Sequence, residues 1–175
     1  LSDMNLCNIT PPEQTCCFTG HRRIQPSQVE ELNKRLSSII DTLYKEGVRH
    51  FRCGGALGFD SLAALAVIRS KREHSDIRLI LILPCIDQTH GWSRADERIY
   101  ERIRESADEV VYTATEYSRQ NMLLRDRALV DGCGICVAYM NSASGGTGYT
   151  VRYAVRSGLR VLNLGKSAIP IFTTA

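Results

Sequence analysis

Short apolar runs alternate along the chain with longer segments whose apolar residues recur at three- and four-residue steps. The runs predict six strands, at Thr15–Phe18, Val48–Cys53, Ile77–Leu83, Glu109–Thr113, Gly134–Met140 and Arg160–Leu164. The intervening segments predict helices, at Pro26–Gly47, Asp60–Glu73, Ser93–Ser106, Gln120–Val130 and Gly146–Arg156. Strands that alternate with helices form a parallel sheet with right-handed crossovers. The pattern therefore predicts an α/β chain with a single Rossmann-like, doubly wound and mainly parallel sheet and helices on both faces.

Length and charge narrow the class of protein. The 175 residues suffice for one well-buried domain, which we expect to span residues 15–175 after a poorly ordered N-terminal extension, residues 1–14. No apolar run approaches the roughly 18 residues of a membrane span, and we find no secretory signal, so we expect a cytoplasmic protein without a membrane partner. The net charge of +3 gives little reason to expect tight binding to nucleic acid.

The seven cysteines are interpreted as structural. Most lie in or beside apolar strand-like runs, where a reduced cysteine behaves as a small hydrophobic residue. Cys133 and Cys136 have a spacing that redox dithiols and zinc sites use, but a redox pair belongs at a helix N-terminus and zinc needs a second pair of ligands. We therefore predict no metal site.

Glycines are concentrated in three loops, each of which follows a predicted strand: TGHRR, GGALGFD and NSASGGTGYT. Ligands of doubly wound folds collect at the carboxyl ends of the strands. Glycine permits a positive φ and lets a phosphate approach the backbone, and a helix N-terminus behind the loop adds free N–H groups. Each loop alone is also consistent with a tight turn. The three together predict a site for an anion, with these candidates: Gly20, His21, Arg22, Gly54, Gly55, Gly58, Asp60, Gly145, Gly146, Thr147, Gly148 and Thr150.

The sequence is consistent with two different roles for each of two candidate residues. Asp60 either binds a ribose hydroxyl or caps the helix that follows it. Trp92, the sole tryptophan, either stacks on a base or closes the core. In the third loop Thr147 and Thr150 are predicted hydroxyl donors, and in the first loop His21 and Arg22 are predicted cations.

An ordered set of five motifs resembles the YpsA-like branch of the SLOG superfamily. In chain order they are CCFTGHR, GGALGFD, Trp92 followed by a helix, NMLLRDRALVDGC and GGTGYTVRYA. The GGALGFDSLAA stretch is similar to a loop of DprA, a DNA-processing protein that handles single-stranded DNA. The stretch from LLRDRALV to SASGGTG is similar to the lonely-guy enzymes, which hydrolyse the N-glycosidic bond of a nucleoside monophosphate. The resemblance implies a nucleotide-like ligand and a homodimer.

The resemblance also assigns individual residues. Arg125 matches the arginine of the lonely-guy helix and becomes a further ligand-binding candidate, and the glycines of the third loop match that family's glycines. The catalytic glutamate of the lonely-guy pattern, however, corresponds to Arg152 here. Glycosidic hydrolysis needs a carboxylate near the anomeric carbon, so only Asp60 or Asp126 is left to supply one.

We therefore predict binding or sensing of a nucleotide or nucleotide-derived ligand, with its phosphate on Gly145–Thr150 and Arg22 and Arg125 as counter-charges. Two alternatives stay open: a nucleoside 5′-monophosphate N-glycosidase or other nucleotide hydrolase, and DprA-like binding of single-stranded DNA, which the modest charge disfavours. Apart from the nucleotide-like ligand, no cofactor is predicted.

Overall fold

The computed structural model describes residues 10–170, which form a six-stranded sheet with five α-helices. The strands are β1 (Thr15–Gly20), β2 (His50–Cys53), β3 (Arg78–Leu83), β4 (Glu109–Tyr112), β5 (Ile135–Tyr139) and β6 (Arg160–Asn163). The helices are α1 (Pro26–Lys45), α2 (Phe59–Ser70), α3 (Arg94–Ser106), α4 (Arg119–Val130) and α5 (Gly145–Arg156). The predicted α/β class is confirmed. Within the predicted N-terminal extension, residues 1–9 lie outside the described part, and Pro12–Gln14 form a short 3₁₀ helix before β1.

The order of strands is β4-β3-β2-β1-β5-β6, and every neighbouring pair is parallel. The chain moves outward from β1 to β4 and then crosses back through α4 to β5, on the other side of β1. The direction of winding therefore reverses between β1 and β5. In open α/β sheets the crevice beside such a reversal is where ligands bind.

The two faces of the sheet carry separate apolar cores. Helices α1, α2 and α3 cover one face, where Leu36, Ile40 and Phe59 are fully buried. Helices α4 and α5 cover the other face around Leu129 and Ala154. The core strands read as continuous apolar runs because they are buried on both faces, whereas the outer strands β4 and β6 are partly exposed.

The structural interpretation of the cysteines is confirmed for the six that the structure describes, all of which are buried and unpaired. In the described part of the chain, no cluster of His, Cys, Asp and Glu has the composition of a metal site. Among residues 10–170, no helix is both long enough and apolar enough to cross a bilayer.

Candidate functional site

The N-terminus of α5 lacks the side-chain cap that α3 and α4 have. Ser93 caps α3 by accepting from the N–H of Asp96 at 3.1 Å, and Ser118 caps α4 in the same way. The residue before α5, Ser144, makes no such bond. The first-turn N–H groups of α5 are thus left without a side-chain cap, and free N–H groups at the positive end of a helix attract anions.

The helix predicted from Gly146 begins one residue earlier, and Gly145, Gly146 and Gly148 all lie in its first turn. Gly145 has a φ of +72°, which only glycine adopts without strain. Gly146 is exposed, and the nearest atom to the place where its Cβ would stand is the Oδ2 of Asp126, at 4.0 Å. The backbone of this turn is therefore open to a ligand.

A cleft of about 800 Å³ lies over this turn, between the loop after β1 and the helices α4 and α5. Its volume is within the range of small-molecule sites. It opens at the reversal between β1 and β5. The predicted site residues that line it are Gly20, His21, Arg22, Asp60, Arg125, Gly145, Gly146, Thr147 and Thr150.

A buried group of three charges forms the floor of the cleft. The guanidinium of Arg125 lies between two carboxylates, with its Nη1 3.7 Å from Oδ2 of Asp60 and its Nε 3.2 Å from Oδ1 of Asp126. The Nε–H is not aligned with that carboxylate and has no hydrogen-bond partner among the described residues. A buried donor without a partner is costly, and a ligand in the cleft would relieve that cost.

Burial also changes the acidity of both carboxyls. It raises the pKa of Asp60 to about 6, although the nearby Arg125 and the N–H of Ala56, which donates to Oδ2 at 3.2 Å, both favour the ionised form. Burial raises the pKa of Asp126 as well, again against the effect of Arg125. A carboxyl that titrates near neutrality suits acid–base chemistry.

Three more arginines surround the cleft. Arg22 and Arg119 are exposed, and neither forms a hydrogen bond or an ion pair with another described residue. Arg152 lines the cleft while its Nη1 donates to the carbonyl of Ala143 at 2.7 Å. Guanidinium groups bind phosphate through paired hydrogen bonds, so the cleft has the charge that an anion needs.

His21 has a different role from the predicted cation. Its Nε2 accepts hydrogen bonds from the backbone N–H groups of Asn141, at 2.8 Å, and Ser142, at 3.3 Å. A nitrogen that accepts carries no proton. The imidazole therefore joins the loop after β1 to the loop after β5 and positions the backbone that leads into α5.

Four predicted glycines are required for packing and do not line the cleft. A Cβ on Gly54 would overlap the guanidinium of Arg125, and one on Gly148 would overlap the carbonyl of Ala143. Gly55 and Gly58 have positive φ, and a Cβ there would overlap Leu83 and the Arg22 carbonyl, respectively. These glycines let the loops pack closely, and so act on the site indirectly.

Two other candidates contact residues of the chain itself. The hydroxyl of Thr150 donates to the Gly146 carbonyl at 2.9 Å, within α5, so this proton is not free for a ligand. Trp92 lies outside the main cleft, packs edge-to-face on Tyr100 with ring centroids 5.6 Å apart, and lines a second cleft.

Sequence reasoning named Arg125 and Asp126 but missed the other residues of α4 that line the cleft. Arg119, Met122 and Leu123 lie there together with Asp126, at steps of three and four residues, which place side chains on one face of a helix. The spacing of these three residues from Asp126 was the available signal.

Comparison with known proteins identifies a family and several relatives. A family model described as "YpsA: YspA SLOG family" matches residues 17–160. The prophage-derived protein YoqJ of Bacillus subtilis is 28% identical over 144 residues, which are 75% of this chain and 84% of that protein. A UPF0398 protein of Halalkalibacterium halodurans is 32% identical over 126 residues, which are 70% of this chain and 67% of that protein.

Two solved structures of DNA processing protein A share the fold. The Streptococcus pneumoniae protein aligns with a TM-score of 0.60 at 15% identity over 89% of this chain, which spans half of that protein. The Helicobacter pylori protein aligns with a TM-score of 0.63 at 16% identity, over 92% of this chain and 68% of that protein. Its structure is described by the protein's single-stranded DNA binding mode. At this identity the likeness concerns the fold alone.

Proposed function

The chain belongs to the YspA SLOG family, and we propose that it binds a nucleotide or nucleotide-derived ligand whose phosphate lies on the first turn of α5. The observation that carries this proposal is the uncapped N-terminus of α5 within a cleft lined by Arg22, Arg119, Arg125 and Arg152. Backbone N–H groups and guanidinium groups are the two main donors to phosphate in proteins.

The charge balance of the cleft supports the same proposal. Four arginines face two aspartates, Asp60 and Asp126, and burial raises the pKa of both carboxyls. The cleft is therefore cationic although the whole chain carries a net charge of only +3.

The experiment is a thermal-shift screen of the chain against nucleoside mono-, di- and triphosphates, ADP-ribose, NAD, cyclic dinucleotides and ribose 5-phosphate. A ligand at a hundred times its dissociation constant stabilises by about 2.7 kcal/mol, which raises the midpoint by roughly 5 to 10 °C in a domain of this size. A shift of that order with one class of phosphate compound is the expected result. The absence of any shift, confirmed by calorimetry, would contradict the proposal.

A second candidate function is hydrolysis of the N-glycosidic bond of a bound nucleotide. The observation in its favour is the pair of buried carboxyls, Asp60 and Asp126, on the cleft floor, since one protonated and one ionised carboxyl are the usual requirements of glycoside hydrolysis. In this reaction water adds to the anomeric carbon, the carbon–nitrogen bond breaks, and the protonated carboxyl donates to the leaving base. Release of free base by wild type but not by Asp60→Asn or Asp126→Asn would establish it.

Other predictions from the sequence need separate measurements. Six unpaired, buried cysteines fit the reducing conditions of a cytoplasmic protein. Light scattering of the purified chain tests the predicted homodimer. A mobility-shift assay with a single-stranded oligonucleotide at low salt tests DNA binding, and we expect no retardation.

A further inference from the structure

A second cleft adjoins the first and is not used by the phosphate site. Its volume is about 760 Å³. Three residues line both clefts: Arg22, Tyr117 and Met122. A single molecule that lies across these three side chains would therefore occupy both clefts.

The walls of the second cleft include aromatic and apolar side chains that are unusually accessible. The side chains of Ile86 and Tyr117 are 71% and 60% exposed, respectively, and both line the cleft with Trp92. The contact between Trp92 and Tyr100 fixes the indole in place. Accessible aromatic and apolar groups that converge on one cavity are typical of a site for a flat ring.

A buried amide forms part of the wall of this cleft. Gln88 is 7% exposed, and its Nε2 donates to the Gly54 carbonyl at 3.4 Å. Its Oε1 is closed to solvent and lies 3.5 Å from the place where a Cβ of Gly55 would stand. Gln88 therefore supports the wall and does not present its oxygen to a ligand.

The charges of the two clefts are opposite. Apart from the shared Arg22, the main cleft carries three arginines and two aspartates, whereas the second cleft carries Asp87, Glu97 and Glu116 and no other arginine. A phosphate favours the first environment. The carboxylates of the second cleft favour a neutral group with N–H donors, such as the exocyclic amino group of adenine, cytosine or guanine.

We propose that the second cleft binds the base of the same nucleotide whose phosphate lies at α5, and that it selects bases that carry an exocyclic amino group. Trp92 and Tyr117 contact the ring, and the carboxylates of the second cleft accept from the amino group. This inference rests on the proposed function, because the phosphate site anchors the other end of the ligand.

Because Trp92 is the only tryptophan of the 175 residues, its fluorescence reports directly on the second cleft. Calorimetric and fluorescence titrations with ribose 5-phosphate, AMP and IMP separate the two sites. We expect AMP to bind and to change the tryptophan emission, ribose 5-phosphate to bind without that change, and IMP, which lacks the amino group, to bind roughly tenfold more weakly than AMP. CMP and UMP provide the same comparison for pyrimidines.

Variants test the contacts. Trp92→Ala should weaken AMP binding roughly ten- to a hundredfold, as expected for loss of stacking, while leaving ribose 5-phosphate unaffected. Trp92→Phe, which keeps a ring against Tyr100, should retain most of the affinity and so controls for misfolding. Glu97→Leu combined with Glu116→Leu should reduce the preference for AMP over IMP.

The outcomes distinguish the two proposals. If no phosphate compound binds, the proposed function fails and this inference fails with it. If ribose 5-phosphate, AMP and IMP bind equally and the emission does not change, the phosphate site stands and the base site is overturned. If Trp92→Ala binds AMP as wild type does, the base lies elsewhere.

Discussion

Replacement of Gly146 by aspartate is the sharpest test of the phosphate site. The position is exposed, and a Cβ there meets no atom closer than 4.0 Å, so the side chain fits. With the new carboxylate about 4 Å from the bound phosphate, and an effective dielectric constant of about 20, the repulsion is about 4 kcal/mol. This corresponds to a roughly thousandfold loss of affinity. Stability should change by less than about 1 kcal/mol, because the favourable place of an acidic residue in the first turn of a helix opposes its repulsion from the carboxyl of Asp126, whose Oδ2 lies at that 4.0 Å distance.

Two matched variants separate charge from bulk and from position. Gly146→Ala adds a methyl group without charge. It should raise stability by about 0.5 to 1 kcal/mol, or roughly 1 to 4 °C in the unfolding midpoint, and should weaken binding less than tenfold. Ser157→Asp adds the same carboxylate at the other end of α5 and should bind as wild type does.

The assay is calorimetry with the phosphate compound that gives the largest thermal shift, combined with thermal unfolding of each variant. If Gly146→Asp binds that compound within threefold of wild type, the phosphate does not lie on α5 and the reasoning is refuted. Loss of binding by Ser157→Asp to the same extent would refute the local electrostatic argument.

Stability should also depend on pH through Asp60. Its pKa is raised to about 6 in the fold, so the stability that this carboxyl contributes is complete below about pH 4 and is lost as the pH rises through 6. In urea unfolding between pH 4 and pH 8, wild type should lose on the order of 3 kcal/mol of unfolding free energy relative to Asp60→Asn. Plots of unfolding free energy against pH that run parallel for the two proteins would contradict this. His21→Ala should speed hydrogen exchange of the two amides that the imidazole accepts from, with little change in the midpoint; unchanged exchange would show that the ring does not hold them. Gly148→Ala should destabilise by about 1 to 3 kcal/mol, because its Cβ would overlap a backbone carbonyl, and a midpoint above wild type would contradict that packing.

The periodicity of the sequence predicted every α-helix and strand of the described residues, because each of these elements buries a face whose pattern is local. The helix that begins at Pro26, for example, buries Leu32, Leu36 and Ile40 at four-residue steps. The order of strands is not local. Only the pairing of β1 with β5 brings His21 to the loop after β5, and no pattern within either segment encodes that pairing.

The roles of the glycines show the same limit at the site. Gly146 and Gly148 are two residues apart in one motif, yet Gly146 faces open space and Gly148 packs on the Ala143 carbonyl. Similarly, Gly54 is needed because Arg125, from a distant helix, occupies the space beside it. A sequence shows that backbone approach is needed, but whether a ligand or another part of the chain approaches depends on tertiary contacts.

The floor of the cleft connects binding with possible chemistry. Burial already raises the pKa of Asp60 to about 6, and a phosphate bound in the same low-dielectric cleft would raise it further, because like charges disfavour ionisation. Phosphate binding therefore makes Asp60 a better proton donor at neutral pH. Arg152 donates to the Ala143 carbonyl and supplies no carboxylate. Any hydrolysis in this cleft must therefore depend on the carboxyls of Asp60 and Asp126 beside Arg125. If the chain only binds its ligand, protonation of Asp60 serves instead to lower the repulsion between this carboxyl and the phosphate.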